Sequence, residues 1–308
     1  MKNFHIVIIV LAIIVIVLVF TFVNFREASN GEIIEQSTLA KVSELDVPEE
    51  EIVPGGPPRD GIPPIDAPEF IMSENINFLD DESLGILVKV NDDLRFYPYN
   101  ILNWHEIVND EIGGKPLSIT YCPLCATGIV FEREIAGKVY DFGTSGMLYQ
   151  SNLVMYDRQT DSLWSQVLGG AIKGPLKGTY LQIYPSSIIE FGEAKKLYPD
   201  MKVLSAETGY SRNYQINPYS GYETSDDIWF GVEYDDRRLE PKEIIYTISV
   251  DGVFKAYYVL NGHELEITIN EDKEIVVFDK TANKRVHGFV AFWFSWITHH
   301  ENAEVWLG

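Results

Sequence analysis

Cys122 and Cys125 are the only cysteines in this 308-residue chain, with Pro123 and Leu124 between them. Proline at the second position of a type I turn would make the two cysteines its ends, within ~7 Å at Cα. That spacing admits a disulfide, which needs roughly 4.4–6.8 Å. It equally admits two thiolates on one metal ion. Upstream, residues 106–112 and 115–121 read as a hairpin around Gly113 and Gly114, because a two-residue turn wants positive φ at both central positions. Counting outward, Ile112 faces Lys115, Asp110 faces Leu117, Val108 faces Ile119 and His105 faces Cys122. Directly opposed Cβ atoms lie ~4.5–5.5 Å apart. One imidazole and two thiols are therefore expected to converge at the open end of the hairpin.

Three soft or borderline ligands of this kind suit copper(I) ahead of zinc. Met147 follows the turn Gly143, Thr144, Ser145, Gly146 and is the expected thioether ligand, with Met155 behind it and His287 as a possible addition. Zinc would use His105, Cys122 and Cys125 and keep an open position. Glu106 alternates to the opposite strand face and is left out of the ligand set. Two other readings stay open. Outside the cytoplasm a lone cysteine pair is usually a structural disulfide, which would make the chain a scaffold or a binding module for an unknown small molecule. A loop this short removes little unfolded-state entropy, which counts against a staple. The third reading is a thiol-dependent enzyme, in which His105 could serve as base to a cysteine nucleophile. A thioredoxin-type site needs a helix straight after the second cysteine. Here Ala126, Thr127 and Gly128 run into a strand instead.

The elements around this constellation read mostly as short strands with turn punctuation. Residues 84–90 and 94–97, 129–133 and 139–142, 153–156 and 162–165, 171–173 and 179–183, and 250–257 all carry hairpin patterns. The best helix spans residues 187–198, where Ser187 and Glu190 form a capping-box pattern and Pro199 stops the run. Residues 100–104 read as a helical turn. The expected fold is mainly β: an antiparallel barrel-like or sandwich-like domain over residues 71–308, with one or two short peripheral helices. The aromatic stretch 289–297 is too short to span a bilayer and reads as a core-closing element.

Residues 6–23 form an apolar run interrupted only by Thr21, long enough for a spanning helix. No small-residue exit follows it, so an uncleaved anchor over residues 1–25 is expected ahead of the alternative, a cleaved signal peptide. Residues 26–70 are acidic and then proline-rich, as in a spacer. The domain would thus stand outside a cell membrane on a single span. With 24 Lys+Arg against 46 Asp+Glu, net −22, the surface disfavours nucleic acid as a partner.

Taken together, these motifs resemble a family known only as a domain of unknown function, number three-one-seven-nine. The matching stretches include Tyr97 and Pro98, residues 105–110, 120–125, 142–146, 148–158 and 162–166, and Phe292, Trp293 and Phe294. The resemblance implies a prokaryotic, extracytoplasmic protein and no assigned activity. The sequence departs from the family pattern at two positions: Ala126 stands where a glycine is expected, and Gln150 where an asparagine is expected.

Overall fold

Gly113 and Gly114 take φ of 54° and 84°, the left-handed pair that a type I′ turn requires. In the computed structural model they close the hairpin of Ile107–Ile112 and Lys115–Cys122 in the expected register, with Ile112 opposite Lys115 and Val108 opposite Ile119. The structure describes residues 45–250, 253–254, 259–260, 263–269, 275–281, 283–286 and 288–300. The apolar run at residues 6–23, the segment up to residue 44 and His287 lie outside these. No helix among the described residues is long and apolar enough to cross a membrane.

The architecture is mainly β and almost wholly antiparallel, with sheets that do not close into a barrel. The hairpin forms one edge of a six-stranded sheet that continues through Thr127–Glu132, Gly288–Phe292, Ile244–Val250 and Val253–Phe254. A five-stranded sheet holds Ile52–Pro54, Phe142–Tyr149, Asn152–Asp157, Leu163–Ser165 and Gly170–Lys173. Another contains Ser187–Glu190, Leu84–Val90, Asp93–Pro98, Lys202–Leu204 and Phe70–Met72, and its one parallel pairing joins Lys202–Leu204 to Asp93–Pro98. Alternation along these strands turns one side chain in two inward. The main core that results includes Phe131, Phe142, Val154, Met155 and Trp164, with both cysteines among them.

Three short α-helices occur among the described residues: α1, Tyr99–His105; α2, Phe191–Leu197; and α3, Trp293–His299. The helix expected over 187–198 begins only at Phe191. Ser187–Glu190 is instead a strand paired with Leu84–Val90, where the β-branched Ile188 and Ile189 fit the pleat better than a helix face. Nor is α3 peripheral. Trp293, Phe294, Trp296 and Ile297 are all buried, and the Phe292 N–H donates to the Cys125 carbonyl at 2.8 Å, so the aromatic stretch closes the core over the cysteine turn. Residues 45–70, read from the sequence as part of a spacer, contribute to the fold. Leu45, Val47, Ile52 and Ile65 are buried, and Ile65 bridges Val108 in parallel.

Candidate functional site

Strand Lys115–Cys122 turns straight back into Thr127–Glu132 through Pro123, Leu124, Cys125 and Ala126. The Cys125 N–H donates to the Cys122 carbonyl at 3.1 Å, as a β-turn with Pro123 at its second position demands. Both cysteines are free thiols, 1% and 0% exposed. Burial first and the neighbouring Cys125 second push the Cys122 thiol up, and the Cys125 thiol donates to the Ser151 carbonyl at 3.1 Å. Behind the turn, Gln166 Nε2 donates to Thr120 Oγ1 (3.0 Å) and to the Thr127 carbonyl (2.9 Å). Asn152 Nδ2 donates to Gln166 Oε1 at 3.1 Å. These buried amides satisfy backbone that the tight turn would otherwise strand.

His105 is not opposite Cys122. The helix α1 runs through His105, and Glu106 follows with φ 57° and ψ −33°, so the strand starts only at Ile107 and the outward count stops two pairs earlier, at Ile107 opposite Thr120. The imidazole turns to other partners. Its Nδ1 lies 2.7 Å from the Pro63 carbonyl, and its Nε2 lies 2.7 Å from the Tyr214 hydroxyl. A carbonyl can only accept, so Nδ1 carries the proton and Tyr214 donates to Nε2. Burial pushes the imidazole pKa down, in keeping with this neutral ring. His105 therefore pins together residues 61–65, the end of α1 and the segment around Tyr214. Met147 is half-buried on strand Phe142–Tyr149 and packs at the border of the core that holds the cysteines. Among the described residues, no group of three or more His, Cys, Asp or Glu side chains could hold a metal ion. Of the expected set, Cys122 and Cys125 share one turn, Met147 packs against the same core, and His105 is engaged by Pro63 and Tyr214 instead.

Glu106 takes the place that His105 was expected to fill. A left-handed residue breaks strand alternation, and the carboxyl is turned toward the thiols instead of away from them. It is buried, and the nearby Tyr219 phenol favours its charged form. Desolvation pushes its pKa up to about 8. Its charge, after burial and the neighbouring Cys125, helps to push the Cys122 thiol well up. Tyr219 and Tyr222 complete the cluster, and burial pushes both phenols up, with the nearby Cys122 adding to it. Both tyrosines come from residues 206–243, a segment without helix or strand. Lys242 fastens its end: the ammonium donates to the carbonyls of Tyr222, Ser225 and Asp227 and sits 3.5 Å from the Tyr222 ring centroid. No periodicity marks Tyr219 or Tyr222 in the sequence. Glu106 was in view beside His105, and only the helix end at 105 reveals its direction.

A cavity of about 370 Å³ opens over the turn. Pro123 and Ala126 face it from the turn, Tyr219 and Glu223 from the irregular segment, and Tyr99 and Tyr121 from the far wall. Those last two rings stack with centroids 3.9 Å apart.

The family model described as a protein of unknown function (DUF3179) matches residues 59–288. The chain belongs to that family. No curated protein and no solved structure matches it. The match takes in Arg59, Asp60 and Ile65, so the DUF3179 unit begins within the proline-rich stretch. The two departures from the family pattern fall on unusual backbone. Ala126 has φ 50° and Gln150 φ 48°, both left-handed, where glycine costs nothing sterically and asparagine is tolerated. Gln150 and Ser151 (φ 61°) form the two-residue loop between Tyr149 and Asn152. A left-handed residue thus stands at each end of the contact between Cys125 and Ser151.

Proposed function

We propose that this chain is a membrane-anchored, extracytoplasmic dithiol protein in which Cys122 and Cys125 cycle between dithiol and disulfide, with Glu106 as proton acceptor. The observation that carries the reading is two buried free thiols at the ends of one reverse turn, with a buried carboxyl, raised to about 8, beside them. Structural ion pairs rarely leave a carboxyl with one phenol as its only named partner, and strongly perturbed groups in a cleft favour function. Oxidation forms the Sγ–Sγ bond and releases two electrons and two protons. The ionised Glu106 takes a proton as the first thiol becomes thiolate, and then passes it on. The electrons and both protons end on the acceptor. The anchor rests on the apolar run at residues 6–23, and the extracytoplasmic side on the family resemblance. A second reading, copper(I), is favoured by one fact: the thiols are in contact on one turn, and a soft ion can be held by two thiolates alone. Zinc would need more ligands than this turn offers.

The test is to purify the full chain in detergent without chelator, then measure metal content and thiols. The expected result is background metal, a folded protein in both redox states, and a single two-electron couple in dithiothreitol buffers. Glu106→Gln should slow dithiol oxidation at pH 8.5 by about 100-fold, the low end of general-base effects. One copper per chain would select the metal reading. A pair that reacts only after unfolding would leave a structural role and overturn both.

A further inference from the structure

The thiols cannot be reached from bulk solvent by a large partner, since both side chains are buried and only Pro123 and Ala126 of their turn face the cavity. The oxidant of the dithiol must therefore act through that cavity. About 370 Å³ is near the lower end of the range for small-molecule sites, too small for a folded domain's disulfide loop. The lining chooses among small acceptors. Tyr99 and Tyr121 present stacked rings, Phe292 and Ile188 add apolar surface, and the Asn103 and Asn217 side chains bring amides that can donate to a carbonyl oxygen. The only charge on the wall is Glu223. With Glu106 beneath and a net charge of −22 on the chain, anionic oxidants such as glutathione disulfide or a nicotinamide dinucleotide are repelled.

Building on the dithiol reading above, we infer that the cavity binds a small, uncharged, planar quinone and that this quinone is the electron acceptor. The step balances. Two thiols lose two electrons and two protons to become one disulfide, and the quinone's two carbonyl oxygens gain them to become the hydroxyls of a quinol. Glu106 carries a proton from the sulfur side, and flat rings match the tyrosine wall by offset stacking.

Duroquinone, whose four ring methyls block addition of thiols to the ring, is the probe. It should quench the intrinsic fluorescence of the oxidised full-length chain saturably. Asn103→Trp, which fills the cavity from α1, should weaken that binding at least tenfold while circular dichroism shows an intact fold. Under anaerobic conditions the reduced chain should yield one quinol per two thiols lost. The full-length Cys122→Ser/Cys125→Ser chain should bind duroquinone but form no quinol. Absence of saturable binding, or binding without quinol formation, overturns the inference. If the neutral disulfide 2-hydroxyethyl disulfide still oxidises the pair in that case, the dithiol reading stands by itself; if it does not, that reading falls too.

Discussion

Glu106 and Asp110 are two buried carboxyls on one edge of the same hairpin, 8% and 5% exposed, and they are treated in opposite ways. Asp110 is saturated. Arg95 Nη1 reaches both of its oxygens at 2.7 Å, the Tyr97 hydroxyl donates at 2.5 Å and the Glu111 N–H at 2.7 Å. Arg95 is held in turn by Asp93, which the guanidinium keeps down at about 2. Glu106 has the Tyr219 phenol and no cation, and burial drives it up to about 8. A charge buried with its counter-ion is a structural part, whereas one buried without it is poised to exchange a proton near neutral pH.

The largest expected effect comes from breaking the saturated site. Asp110→Ala leaves the Arg95 guanidinium buried and half-partnered, and should cost about 3–5 kcal/mol in urea unfolding. Once the loss of stability is allowed for, the dithiol potential should be unchanged.

The opposite sign is expected at Glu106. Its folded pKa of about 8 lies above the 4.5 of an ordinary glutamate side chain, so the folded state holds its proton more tightly than the unfolded state. Stability is full below pH 4.5 and falls as pH rises from there through 8, after which it levels off. Glu106→Gln should remove that fall. The gain should be about 2–3 kcal/mol at pH 6.5 and near zero at pH 4, read from denaturant midpoints across pH. A variant less stable than the parent at both pH values would mean that Glu106 has a counter-ion after all.

His105→Ala removes bonds to Pro63 and Tyr214 and should cost roughly 1–3 kcal/mol. It should loosen residues 61–65 and the 206–243 segment in hydrogen exchange, yet leave the thiol couple and any copper content as they were. A loss of copper on this substitution would return His105 to the ligand set.

The smallest effects are stabilising. Ala126→Gly should gain about 0.5–1 kcal/mol, because left-handed backbone penalises a Cβ by ~1–2 kcal/mol and glycine's extra entropy returns part of it. Gln150→Asn should gain a few tenths of a kcal/mol on the same principle. Thermal melts of the two single variants and the double decide this.

How far the sequence reaches can be followed along the hairpin. From Gly113 and Gly114 the register is legible through Ile107 opposite Thr120, since a two-residue turn and strict alternation leave one solution. The Cys122 turn is legible from Pro123. The core-closing role of 289–297 follows from its length. Legibility ends at His105: the helical turn read over residues 100–104 is there, but the helix runs on through His105 and takes that residue from the strand, and an end set one residue later is beyond what a short period can fix. The same failure of local pattern explains residues 187–190, where a capping-box signature lost to strand pairing with Leu84–Val90.

By itself, then, the sequence determined what neighbouring residues decide: the β class, the hairpin register, the reverse turn that brings two thiols together, and the positive φ at the two glycines. These follow from backbone sterics and alternation, which act over a few residues. Only the tertiary structure decided which side chain joins the thiols. His105 is claimed by a carbonyl 42 positions before it and a phenol 109 positions after it, and the Glu106 carboxyl is raised to about 8 because the fold buries it, with Tyr219 nearby. A pKa raised by burial depends on what lies above the group, and that cover comes from a distant, patternless segment which no local rule can place.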